Sequence, residues 1–336
     1  MGETQNTARM AEFLADEIFK WFKWKRVGTT NVDFNCVLKE KHNNKTHPID
    51  AVFTYFNPYS GKQVYLNTDL KSYAKSTLSG KNFTDELNSL GKSIECAEIS
   101  SEWKDNFVVA IDKPYIIDGL LFIFNHDNSS GKELDDILNQ LKIDKINIKK
   151  GQRLIIFSPR EIDYFYTIVN DIKNFKAQEK FKSFDDYTFF YPDLKKSRRH
   201  NTNDDEWQNP ATYELLTAPW LIVKYNNPSS KFKESYIVYY NGRGDSVDEF
   251  IYLIDTLSAY QLVSSDKEVQ VRFYNSHKNV VSFFEKAKDL YLQSWNLDKS
   301  RKKDLENLKP SSITSILKVQ YNEFEIGMDI RGISNE

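Results

Sequence analysis

The stretch that decides the fold runs Ile49-Asp50-Ala51-Val52-Phe53-Thr54-Tyr55-Phe56, turns through Asn57-Pro58-Tyr59-Ser60-Gly61, and returns as Gln63-Val64-Tyr65-Leu66-Asn67-Thr68-Asp69-Leu70-Lys71. Both arms are rich in β-branched and aromatic residues, and the segment between them concentrates residues that close turns. That combination predicts a hairpin with a loop of about five residues. With the turn centred at Tyr59 and Ser60, Asp50 and Asp69 fall at matching distances on the two arms. In antiparallel pairing they stand opposite each other, with Cβ atoms about 4.5–5.5 Å apart. Lys71 follows two residues after Asp69, and the period of two in a strand puts both side chains on one face. Like charges held so close repel unless one takes a proton or a cation sits between them.

Hard carboxylate oxygens suit Mg²⁺ or Mn²⁺. A lysine beside such an ion orients or deprotonates a water, or neutralises charge building on a phosphate. The chemistry that uses two acids, an amine and a hard cation together is phosphodiester hydrolysis.

Outward from the hairpin, residues 8–24 read as a helix, with Met10, Phe13, Leu14, Trp21 and Trp24 at helical spacing. Residues 32–39 read as a strand and 83–98 as a helix with Leu87, Leu90 and Ile94 in one stripe. Residues 107–111, 116–124 and 154–157 read as strands, 133–141 as a short helix, and Pro159 opens a helix to about Phe175. The first part of the chain is therefore expected to be α/β, a mixed sheet flanked by helices.

The motif and its surroundings resemble the PD-(D/E)xK nuclease superfamily, the restriction-endonuclease-like fold. Pro48-Ile49-Asp50, the hairpin and Asp69-Leu70-Lys71 carry the resemblance. The family core is a helix, a three-stranded meander, a helix and a further strand, and residues 8–124 lie on it in that order. The resemblance covers about a third of the chain. It implies Asp50 and Asp69 as ligands of Mg²⁺ or Mn²⁺, the Leu70 carbonyl as a further ligand, and Lys71 as the catalytic lysine. Family members often add a glutamate from the first helix. Glu17, in one stripe with Phe13 and Trp21 and so expected to face the sheet, fits that role ahead of Glu12. The resemblance also implies a nucleic-acid substrate, DNA before RNA, and a place among restriction and anti-phage defence proteins. Glu95 and Glu98 are weighed as contacts near the metal, Tyr73 and Lys75 as phosphate contacts, and His47 mainly as a surface turn residue.

The acid-x-Lys triplet recurs at Glu102-Trp103-Lys104, Asp171-Ile172-Lys173 and Asp193-Leu194-Lys195, but none of these has an acidic strand at the matching spacing. Residues 1–175 are read as the nuclease-like domain, 176–212 as a polar linker or long loop, and 213–336 as an α+β domain that binds substrate or a partner. The linker holds a basic run in which Lys195, Lys196, Arg198 and Arg199 are candidate nucleic-acid contacts. In the last part, 220–225, 236–240, 269–274 and 316–321 read as strands and 247–262 and 280–295 as helices.

Composition excludes several classes. Lysine and arginine number 46 against 48 acidic residues, a formal charge of −2 that rules out a uniformly basic coat for nucleic acid. With 40% hydrophobic residues the chain has the material for a core. No run of apolar residues is long enough to span a bilayer, and no apolar leader segment opens the sequence, so a cytoplasmic protein without membrane contact is expected. Two cysteines, Cys36 and Cys96, argue against a disulfide scaffold or a Cys-rich zinc module, and the five histidines show no zinc-binding spacing. There is no phosphate-binding loop, no dinucleotide fingerprint and no repeat of fixed period. Rival readings are a catalytically silent member of the same fold and a regulatory protein whose acidic hairpin only resembles the motif. Either would work through a protein partner, and a homodimer is also open, since cutting both strands often needs two sites.

Overall fold

The computed structural model describes residues 2–73, 80–110, 112–125, 132–192 and 208–315. They divide into two compact units, with the boundary between Tyr166 and Thr167. No described helix is long and apolar enough to cross a membrane.

The first unit begins with α1 (Gly2–Trp21), followed by β1 (Lys25–Val27), β2 (Val32–Asn35), the single turn α2 (Lys39–His42), β3 (Thr46–Ile49), β4 (Ala51–Asn57) and β5 (Lys62–Tyr73). Then come α3 (Gly80–Ile99), α4 (Ser101–Phe107), β6 (Tyr115–Asn125), α5 (Lys132–Asn139) and β7 (Leu154–Phe157), and α6 (Pro159–Ala177) runs across the boundary into the second unit. The main sheet runs β1-β4-β5-β6-β7. β1, β4 and β5 form an antiparallel meander, and β6 and β7 continue it in parallel. β2 and β3 pair only with each other, as an insertion between the first two meander strands.

The hairpin closes as its sequence dictates. The Asn57 side chain accepts from the amides of Tyr59 and Ser60, and Gly61 takes a φ of 67° that favours glycine. The two faces of β5 are covered by different helices. α1 buries Ala11, Leu14, Ala15, Ile18 and Phe19, a helical stripe whose Phe19 meets the sheet at Phe53 and Phe122. α3 covers the other face, where Phe83, Leu87, Leu90 and Ile94 pack with Tyr65, Ile117, Leu121 and Ile123. Phe107, expected to open a strand, instead ends α4. Ser100 caps that helix, and Trp103 and Phe107, four residues apart, are both buried.

The second unit holds β8 (Tyr187–Phe189), α7 (Tyr213–Leu216), β9 (Trp220–Tyr225), β10 (Glu234–Tyr240), α8 (Val247–Ala259), β11 (Lys267–Tyr274), α9 (Val280–Ser294), α10 (Lys299–Glu306) and β12 (Leu308–Ile313). Its sheet runs β12-β11-β10-β9-β8. β8, β9 and β10 are antiparallel, and β11 and β12 continue in parallel. Both sheets thus follow one scheme, an antiparallel meander extended by two parallel strands, although no repeat is visible in the sequence. Phe250 and Phe273 each pack edge to face on Phe284 within this unit's core. The stretch expected as a linker contributes β8 to that sheet. Its residues Phe181, Tyr187, Phe189, Phe190 and Tyr191 are buried, so apolar spacing prevails there over the polar surroundings. β12 falls where no strand was expected, and the strand expected at 316–321 lies outside the described residues.

Candidate active site

β5 outlasts its antiparallel partner. The last β4–β5 pair is Ala51 with Thr68, whereas pairing with β6 continues to Tyr73. Asp50 immediately precedes β4, so in this register it continues the ladder next to Asp69. Its Oδ2 accepts from the Leu70 amide at 2.7 Å. That bond ties Asp50 to β5 where the backbone ladder has stopped.

Asp69, Lys71 and Tyr73 alternate along β5 toward the α3 face. The Lys71 ammonium lies 2.8 Å from Asp69 Oδ1 and 3.3 Å from Glu86 Oε2. Tyr73 donates to the other Glu86 oxygen at 3.2 Å. Three carboxylates, those of Asp50, Asp69 and Glu86, therefore gather around one ammonium. Burial pushes the Asp69 carboxyl up to about 7, with Asp50 and Glu86 adding to the rise and Lys71 opposing it. Burial alone would lower the Lys71 ammonium, but Asp69, Glu86 and Asp50 outweigh it and hold the group above its ordinary value. Near neutrality Asp69 is therefore partly protonated, and the three carboxylate positions outnumber the single ammonium. This excess of negative charge, presented by hard oxygen atoms, fits a divalent cation such as Mg²⁺ or Mn²⁺. Asp50 and Asp69 are the residues that would hold it, with the Leu70 carbonyl at hand on the same strand.

The helical carboxylate at this pair is Glu86 of α3, which the sequence reading did not single out. Glu17 stands differently from its expectation. Phe13, in the same proposed stripe, is 53% exposed, whereas the buried stripe of α1 carries Phe19, which meets the sheet at Phe53 and Phe122. Glu17 is half-buried on the flank of that stripe, on the helix that covers the face opposite Asp69 and Lys71. Glu12 pairs with Arg26 at 3.0 Å. Glu95 and Glu98, weighed as contacts near the metal, turn elsewhere, Glu95 to Lys41 and His42 and Glu98 to Lys149 and Gln152. Lys75, Lys195, Lys196, Arg198 and Arg199 lie outside the described residues.

Two of the other acid-x-Lys triplets are helical. Glu102-Trp103-Lys104 lies in α4 and Asp171-Ile172-Lys173 in α6. In a helix, residues two apart point to different faces, so acid and amine do not converge as they do on β5. Asp171 instead pairs with Arg272 at 3.2 Å. The third triplet lies outside the described residues.

No curated protein matches the chain. Residues 1–161, just under half the chain, match the family model described as the GAPS4 protein PD-(D/E)XK nuclease domain. The match takes in α1, the meander, α3, β6 and β7, and with them Asp50, Asp69 and Lys71. This part of the chain is similar to a PD-(D/E)XK nuclease domain.

Proposed function

We propose that the chain is a metal-dependent endonuclease that hydrolyses phosphodiester bonds in nucleic acid, DNA before RNA, and that it serves in anti-phage defence. The observation that carries the reading is the convergence of Asp50, Asp69 and Lys71 at the end of β5 within a nuclease-family domain. In this reading Asp50 and Asp69 hold Mg²⁺ or Mn²⁺. When bound, such an ion supplies Lewis-acid polarisation of the phosphate and lowers the pKa of a coordinated water.

The remaining roles belong to the chain itself. Lys71 keeps its proton at neutral pH because three carboxylates surround it. It is therefore suited to orient the attacking water and to stabilise charge growing on the phosphate, not to act as a general base. Glu86 holds Lys71 from the helix side and Tyr73 holds Glu86, so the ammonium is positioned before substrate arrives. The Leu70 amide fixes the Asp50 carboxylate.

The test is cleavage of plasmid DNA and of RNA by the purified full chain with Mg²⁺ or Mn²⁺, beside Lys71→Ala and Asp69→Asn. Loss of one positioned electrostatic group is expected to cost about 10²–10³ in rate. Equal cleavage by wild type and Lys71→Ala would remove the catalytic assignment. Nucleic-acid binding without cleavage under all ions would favour a silent member of the fold.

A further inference from the structure

A second cluster of metal-ligating side chains lies apart from the candidate active site. Cys36 follows β2, His42 ends α2, His47 sits in β3 and Cys96 is on α3. All four are buried, and one ligand atom from each lies within 4.8 Å of all the others. We propose that these residues form a structural zinc site, two thiolates and two imidazoles, that fastens the β2–α2–β3 insertion to α3.

The spacing fits a closed four-ligand centre. Cys36 Sγ lies 3.5 Å from Cys96 Sγ and 3.5 Å from His42 Nδ1, and Cys96 Sγ lies 3.3 Å from the same nitrogen. With Zn–S near 2.3 Å and Zn–N near 2.0 Å, ligand atoms at tetrahedral corners stand about 3.3–3.8 Å apart. The sulfurs are far beyond the roughly 2.05 Å of a disulfide.

The surroundings match as well. Neither ring nitrogen of His47 has a hydrogen-bond partner among the described residues, although the side chain is fully buried. A buried imidazole left so is costly unless something else takes its lone pair. His42 presents Nδ1 to the sulfurs while its Nε2 meets Glu95 Oε2 at 3.1 Å. A carboxylate on the far nitrogen is the arrangement that fixes the tautomer of a metal-bound histidine. The backbone amides of Val37 and Leu38 bond to the Cys96 sulfur, contacts that favour a thiolate. Burial pushes the Cys96 thiol up.

Charge calls for a divalent ion, and the ligand atoms choose among them. Binding releases the two thiol protons to solvent, leaving two thiolates, two neutral imidazoles and Zn²⁺, a complex with no net charge. A neutral unit is what so buried a position can hold. Sulfur and imidazole select zinc over the hard ions proposed beside Asp50 and Asp69. Lys41, His42, Lys92 and Glu95 line a surface groove, so the His42 ligand borders it.

Elemental analysis of the full chain, expressed without a polyhistidine tag, tests the assignment. About one zinc per chain is expected, falling to near zero in Cys36→Ser and in His47→Gln. Should those variants fail to fold, Glu95→Gln leaves every ligand in place, and competition with a chromophoric chelator reads it directly. Its zinc affinity is expected to fall about 10–100-fold. Cobalt substituted for zinc should show thiolate-to-metal absorption in the wild type. The proposal is overturned by folded protein that neither carries zinc nor takes it up, by zinc content unchanged in Cys36→Ser, by a Cys36–Cys96 disulfide in the purified chain, or by Glu95→Gln binding zinc as tightly as wild type. None of these readouts depends on cleavage, so they stand or fall apart from the nuclease reading.

Discussion

Proton-linked metal binding follows from Asp69. Its carboxyl titrates at about 7 because it is buried with Asp50 and Glu86 beside it. A hard cation must displace that proton to reach the oxygen. Below the raised pKa, apparent affinity should fall toward tenfold per pH unit, so binding at about pH 5.5 should be about 30-fold weaker than at about pH 8.5. A carboxylate at its ordinary value near 3.9 would give almost no change over the same range. Calorimetric titration of the full chain with Mn²⁺, repeated in buffers of different ionisation heat, measures affinity and counts released protons together. About one proton per ion is expected near pH 6 and almost none near pH 8.5. The ion-free protein should behave in the complementary sense. Its folded state binds the Asp69 proton more tightly than the unfolded chain does, so the stabilisation is complete at low pH and is lost as pH rises through about 7. Affinity flat from pH 5.5 to 8.5 in wild type, or a slope that survives Asp69→Asn, would refute the reasoning.

Three further substitutions probe the same domain. Glu86→Gln removes one of the negative charges that raise Asp69, so the fall in Mn²⁺ affinity should move to lower pH in the same titration. Gly28→Ala should lower stability by roughly 2–4 kcal/mol in urea unfolding, because Gly28 has a φ of 66° and a Cβ there would stand 2.3 Å from the Phe107 ring and 2.8 Å from the Asn106 carbonyl oxygen. Asp118→Ala should cost about 2–4 kcal/mol by thermal melting. The buried Asp118 carboxylate accepts from the Arg153 amide at 3.1 Å and from its guanidinium at 3.1 and 2.9 Å.

What was legible in the sequence was local. The hairpin shows because its turn chemistry and the β-forming arms agree, and a two-residue period is enough to place Asp69 and Lys71 on one face. Groups that meet only through tertiary packing did not show. Glu86 reaches Lys71 because α3 crosses the face of β5, and nothing in its neighbourhood along the chain marks that approach. The stripe proposed through Phe13, Glu17 and Trp21 is helical in spacing, yet the neighbouring stripe through Leu14, Ala15, Ile18 and Phe19 is the more apolar and wins the sheet. The cluster of Cys36, His42, His47 and Cys96 escaped a search for motif spacing because its fourth member lies on α3, far along the chain. His47, read as a surface turn residue, is buried beside Phe34, with ring centres 5.3 Å apart. Short elements inside polar stretches, such as β8, give too few residues for a pattern to register.

The bond from the Leu70 amide to Asp50 has a practical consequence for genetics. Replacing Asp50 with alanine deletes an acceptor that extends the sheet as well as a proposed ion ligand, so a dead phenotype from that allele would merge misfolding with lost chemistry. Asp50→Asn, which keeps an oxygen for the amide, or an allele at Lys71 is the cleaner null for asking what the intact but inactive protein does in a cell.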